Sequence, residues 1–171
     1  MQVPPPAASV QGLPLVASGQ GLPPVASVQG LLPVVYVGET FSKEVTLTEV
    51  EIKQFATLCD DQNPVHHDDA YAEKTRFGKI IASGPHYSSL FVAMIATHFF
   101  KTRSGVGLEF NLKFLRPVYA NVALSMTWTV TKIEHKVSLG GDIVSLTGSI
   151  TDPAGNSLLA GEGKILLTEN L

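Results

Sequence analysis

Between Pro85 and Phe100 the chain reads Pro-His-Tyr-Ser-Ser-Leu-Phe-Val-Ala-Met-Ile-Ala-Thr-His-Phe-Phe, and from Leu90 to Ala96 it presents no polar side chain. A helix of that composition is expected to be buried on nearly every face, so the rest of the chain must cover it. After it the apolar period falls to two. Leu108, Phe110, Leu112 and Phe114 alternate with Glu109, Asn111 and Lys113, and Leu124, Met126, Trp128 and Val130 alternate with Ser125, Thr127 and Thr129. Val144, Leu146 and Ile150 alternate with Ser145, Thr147 and Ser149, and Leu159, Ile165 and Leu167 end the series. Such alternation marks half-buried strands, with turns at Pro117, Gly140-Gly141 and Pro153-Ala154-Gly155-Asn156. The pattern predicts an α+β domain with four strands in a meander, their antiparallel sheet curved around the apolar helix.

Upstream, Phe41, Val45 and Leu47 outline a first strand, and Thr48-Glu-Val-Glu51 has the form of a capping box. Ile52, Phe55, Ala56 and Cys59 recur at helical spacing, which predicts a helix over 49–59. Asn63-Pro64 then forces a turn, and Asp68 or Asp69 is placed to cap a short helix running to about residue 74. Residues 1–34 differ from all of this. The first 35 residues carry no Lys, Arg, Asp, Glu or His and hold seven of the 11 prolines, with Gln-Gly-Leu returning every nine residues. Gly and Pro interrupt each run before an element can grow, so this stretch is read as a flexible tail and residues 35–171 as the folded domain. A formal charge of −3 with no basic run argues against nucleic acid and membrane surfaces as partners. The single Cys59 suits a reducing compartment, and the absence of a secretory or transit pattern points to the cytoplasm.

The residues with chemical potential gather where the polar turn precedes the apolar helix. In Asp60-Asp61-Gln62-Asn63-Pro64-Val65-His66-His67-Asp68-Asp69 a carboxylate and an imidazole stand five residues apart across Asn-Pro. In a helix that spacing puts them about 140° apart, so only a turn lets Asp61 and His66 converge. Converged, they hold a water between a base and an acid suited to neutral pH. Pro85 is read as the first position of the apolar helix with Gly84 just before it, and the helix N-terminus offers free N–H groups and the positive end of a dipole, the elements of an oxyanion site. His66, His67, Asp68 and Asp69 resemble a metal cluster in composition, but neighbours in sequence rarely all point inward, and no metal site is expected. Gly105-Val106-Gly107 leads into a strand rather than from strand to helix, which does not suit nucleotide binding.

Asp61-Gln62-Asn63-Pro64-Val65-His66, followed by Asp68, Tyr71-Ala72, Thr75, Phe77-Gly78, Ile80-Ile81 and Gly84, resembles the D-x-N-P-x-H signature of the MaoC-like, (R)-specific enoyl-CoA hydratases with the hot-dog fold. The likeness extends over about residues 36–168. It implies reversible hydration of a trans-2-enoyl thioester, on coenzyme A or a carrier protein, to the (R)-3-hydroxyacyl thioester without metal or redox cofactor. It assigns the water to Asp61 and His66, the thioester carbonyl to the N–H of Gly84, and the shape of the loop to Asn63. It also implies a homodimer with two sheets joined edge to edge.

This chain departs from the pattern on both sides of the glycine. Ser83 stands where many members have His, and Pro85-His86 replaces the usual aliphatic residue, so Ser83 and His86 are expected to line the substrate pocket. Lys74, Arg76, Lys79, Lys101 and Arg103 are candidates for the carrier's phosphates. Two other activities use the same scaffold. A hot-dog thioesterase would direct water at C1 and usually carries an acidic residue on the central helix, where residues 85–100 have none. A silent module would only bind acyl thioesters.

Overall fold

In the computed structural model, residues 34–169 are described, and the proposed tail falls outside them apart from Val34. The elements follow the order β1 (Thr40–Thr46), α1 (Glu49–Leu58), a 3-10 turn (Pro64–His66), α2 (Asp69–Ala72), α3 (Gly84–Phe99), β2 (Ser104–Phe114), β3 (Ala123–Lys136), β4 (Gly141–Thr151) and β5 (Ser157–Thr168). The five strands make one antiparallel sheet in the order β1-β3-β4-β5-β2, the hot-dog arrangement with α3 against the sheet.

The expected meander is therefore only partly present. β3, β4 and β5 are joined by short turns at Gly140 and Asp152–Asn156, but β2 pairs with β5 at the opposite edge from β1. The longer 115–122 connection carries the chain from one side of the sheet to the other, a crossing that alternation within each strand does not encode.

Helix α3 is fixed to the sheet by an aromatic pair. Phe91 stacks on Trp128 of β3 with centroids 4.1 Å apart, and the indole N–H donates to the Phe91 carbonyl at 2.9 Å. Trp128, Gly148 and Gly161 are register partners across three strands. A Cβ on Gly148 would lie 2.6 Å from the indole, and one on Gly161 would lie 3.0 Å from Phe91. The two glycines thus form a trough for the rings, which explains the break in the β4 alternation at 148. Phe91, Ile95, Leu124, Met126, Trp128, Val144, Ile150, Leu159 and Ile165 are at most 1% exposed, each contributing about 1.5–3 kcal/mol of burial.

The expectation that α3 is buried all round is corrected. Ser89, Ala93, Ala96 and Thr97 form an exposed face, because the sheet covers one side of the helix and the residues turned away are small. Two further expectations change. Cys59, read as the last position of α1's apolar face, is exposed beyond the helix end. Leu108 lies at an irregularity between Gly107 and Glu109 and is 49% exposed, not inward with Phe110 and Leu112.

Candidate active site

Asp61 is delivered by the end of α1. The helix starts in a complete capping box: Glu51 N–H donates to Thr48 Oγ1 at 3.2 Å, and Thr48 N–H donates to a Glu51 carboxylate oxygen at 2.8 Å. The Thr48 hydroxyl also donates to that carboxylate oxygen at 2.7 Å, and this bond, with the one from Thr48 N–H, holds the Glu51 carboxyl below its usual range. The other end closes with Asp60 N–H donating to the Thr57 carbonyl and Asp61 N–H to the Ala56 carbonyl, at 3.1 and 2.9 Å. That paired motif needs a left-handed residue, and Asp60 supplies it at φ 54°. Asp61 Oδ1 then accepts from Asn63 N–H at 3.1 Å, while His67 Nε2–H donates to the Asp61 carbonyl at 2.6 Å. Both ends of the residue are held.

Asn63 caps the 3-10 turn through Oδ1, which accepts from Val65 N–H at 3.3 Å, and Pro64 takes the first position. The turn brings His66 inward to 7% exposure. Its Nδ1 lies 2.8 Å from the carbonyl of Ile81. A carbonyl only accepts, so Nδ1 carries the proton, and in the neutral ring Nε2 keeps its lone pair. Nε2 faces Asp61 Oδ2 at 3.7 Å. Two acceptors face each other across that gap, and a water donating one hydrogen to each matches them. Ile81 N–H returns a bond to the Val65 carbonyl at 3.4 Å, tying the turn to the segment that enters α3.

Ser83 is the N-cap of α3, 2% exposed and making no side-chain cap bond. Gly84 occupies the first helical position, Pro85 has no N–H, and His86 N–H donates to the Ser83 carbonyl at 3.0 Å. The Gly84 N–H thus stands at the positive end of a 16-residue helix, where no intrahelical acceptor exists. A Cβ at Gly84 would sit 3.1 Å from the ring of Phe114, which also packs edge-on against Tyr87. His86 stacks on Phe55 of α1, linking the helix that delivers Asp61 to the one that carries Gly84.

A family profile described as MaoC like domain matches residues 37–145. The chain belongs to this family. The MaoC-like chain is 28% identical over 117 residues to an (R)-specific enoyl-CoA hydratase of Aeromonas caviae, spanning 68% of this chain and 84% of that protein. It is 31% identical over 83 residues to a mitochondrial 3-hydroxyacyl-[acyl-carrier-protein] dehydratase of Arabidopsis thaliana, about half of each (48%). Among solved structures, R-hydratase PhaJ1 from Pseudomonas aeruginosa superposes with a TM-score of 0.70 at 30% identity, covering 79% of this chain and 83% of that one.

The fold brings Asp61, Asn63 and His66 together, and the Ile81 bond ties them to the approach to Ser83, Gly84 and His86. It separates the other candidates. His67 holds backbone, Asp68 caps α2, and Asp69 pairs with Lys53 at 2.7 Å. Among the described residues no group of three or more His, Cys, Asp or Glu is arranged to hold a metal ion. Arg76 and Lys79 lie over the rings of Phe77 and Tyr119, whereas Lys101 and Arg103 follow the far end of α3, about 22 Å of helix from Gly84. No helix of the described residues is long and apolar enough to cross a membrane. Sequence reasoning missed the Ile81 carbonyl, to which any residue type contributes equally. It also placed Phe55 and Phe114 in the core, where apolar spacing gave no hint of their contacts with His86 and Gly84.

Proposed function

We propose that this MaoC-like domain reversibly hydrates enoyl thioesters to 3-hydroxyacyl thioesters. The observation that carries the reading is the pair of facing acceptors, Asp61 Oδ2 and His66 Nε2, 3.7 Å apart with the imidazole tautomer set by Ile81. A water held there is oriented for attack at C3. As its oxygen bonds to C3, one proton passes to the Asp61/His66 pair and the C2=C3 electrons move onto the thioester oxygen as an enolate. The Gly84 N–H and the α3 dipole stabilise that charge, worth on the order of 10²-fold in rate. The proton returns from the pair to C2, so the elements of water are added and nothing else is consumed. Dehydration is the same path reversed.

The (R) configuration follows the naming of the relatives, and their substrates support coenzyme A or a carrier protein as the thioester's partner. Asn63 acts by shaping the turn, and Ser83 by lining the pocket beside the carbonyl. A homodimer is part of the reading. Among the described residues β2 is an edge strand, open on the side away from β5, and Val106, Leu108 and Phe114 on it are 40, 49 and 52% exposed. The direct experiment follows loss of the conjugated-thioester absorbance of a short trans-2-enoyl-CoA. Turnover abolished in Asp61→Asn and His66→Ala is expected. Free thiol release with the enoyl absorbance intact would select the thioesterase, and silence across chain lengths and both carriers would leave a binding module.

A further inference from the structure

Among the described residues, His86 is the histidine with a fully buried ring nitrogen that the domain leaves unpaired. It is 7% exposed, its ring lies flat on Phe55 with centroids 4.3 Å apart and planes 2° from parallel, and its Nδ1 is buried without a hydrogen-bond partner. Among the described residues the other buried side-chain atom in that condition is Arg103 Nε, beyond the opposite end of α3. Burial pushes the His86 imidazole below its usual titration range, against a weaker upward pull from Glu51, so the ring is neutral at pH 7. A phenyl ring would make the same stack with no unpaired nitrogen, and an unpaired buried nitrogen is unfavourable in the free protein. His86 is the third residue of α3, about 3 Å along the axis from Gly84, and its stacking partner lies in the last turns of the helix that leads into Asp61. The residue that carries the unpaired atom is therefore within one helical turn of the proposed carbonyl site.

We propose that His86 is a specificity-determining residue whose Nδ1 hydrogen-bonds a hydroxyl on the acyl group, selecting hydroxylated acyl thioesters over alkyl ones of equal length. The inference rests on the reading of Gly84 as the thioester site. A hydroxyl suits either tautomer of the neutral ring, since it donates to a lone pair and accepts from an N–H, whereas a carbonyl serves only one of them. The stack on Phe55 fixes the ring plane and makes the bond directional.

The test compares a medium-chain 2-enoyl-CoA with counterparts bearing one hydroxyl between C4 and C6, in wild-type protein and in His86→Phe, which keeps the stack and removes the nitrogen. Wild type is expected to favour the hydroxylated chain in kcat/KM by about three- to tenfold, the worth of one neutral hydrogen bond. His86→Phe is expected to bring that ratio near one and to melt at the wild-type temperature or above it. An unchanged ratio in His86→Phe overturns the inference. So does a clear drop in its melting temperature, which would mean that Nδ1 is bonded within the folded protein. Calorimetric binding of the hydroxylated and plain acyl-CoA separates this inference from the hydratase reading. Absent turnover with a preserved, His86-dependent difference in Kd sinks only the hydratase reading, and equal Kd values sink the His86 inference alone.

Discussion

Asp61→Asn is the substitution whose outcome the structure specifies most closely. The two carboxylate oxygens have different surroundings: Oδ1 accepts from Asn63 N–H at 3.1 Å, and Oδ2 faces His66 Nε2 at 3.7 Å. An asparagine keeps its oxygen on the Asn63 N–H and turns its NH2 toward His66. The Ile81 bond has already put the imidazole proton on Nδ1, so in the neutral ring the NH2 meets a lone pair and closes the gap proposed for the water. The new amide–imidazole bond contributes about 0.5–1.5 kcal/mol, offsetting the weaker hydrogen bond that a neutral oxygen accepts. Stability is therefore expected to change by less than about 1 kcal/mol, or about 2–4 °C in melting temperature. Turnover is expected to fall at least about 100-fold, roughly 2.7 kcal/mol of barrier. His66→Ala should be equally inactive but less stable by about 2–4 kcal/mol, because it empties a buried site and strands the Ile81 carbonyl. Enoyl-CoA absorbance and scanning calorimetry on both variants measure these outcomes. Asp61→Asn protein that keeps more than a tenth of wild-type turnover would refute the catalytic argument. A loss of more than about 2 kcal/mol in that variant would show instead that Asp61 serves mainly to hold the turn.

Other expectations follow from the same contacts. Trp128→Phe removes the bond to the Phe91 carbonyl and part of a fully buried ring, and should lower the urea-derived stability by about 2–3 kcal/mol; a loss under about 1 kcal/mol would mean that the core closes over the gap. His86 makes stability pH-dependent in a defined direction. Its folded titration lies below the usual value near 6.5, so on acidification through that value the unfolded chain takes up a proton that the native ring refuses. Native stability should fall by up to about 1.4 kcal/mol per pH unit until the native ring itself protonates. His86→Phe lacks this component, so its stability advantage over wild type should widen between pH 7.5 and 5.5, and a gap constant with pH would contradict the burial argument. Removing residues 1–33 is expected to leave melting temperature and turnover unchanged, since residues 34–169 already contain β1 to β5, α3, Asp61 and His66. A large loss of either property would reassign the repeat to the domain.

Local order explains what was legible in the sequence. The capping box at Thr48 and Glu51, the Asn63-Pro64 turn, the Asp68 cap and the period-two runs at 124–130 and 144–150 each depend on residues a few positions apart. The pairing of Asp61 with His66 was legible for the same reason, because the turn that joins them lies entirely between them. Tertiary structure decided the rest. It placed β2 beside β5, left one face of α3 open, and turned Cys59 outward, since partner strands and helix cover come from distant segments. It also supplied the Ile81 carbonyl that sets which nitrogen of His66 is bare, and the Phe55 ring that holds His86. The sequence by itself thus determined which groups stand at the candidate site and the turn that gathers them. Only the folded chain determined which nitrogen of His66 holds the proton in its neutral ring and how deeply these groups are buried, because those depend on backbone carbonyls and rings from distant parts of the chain.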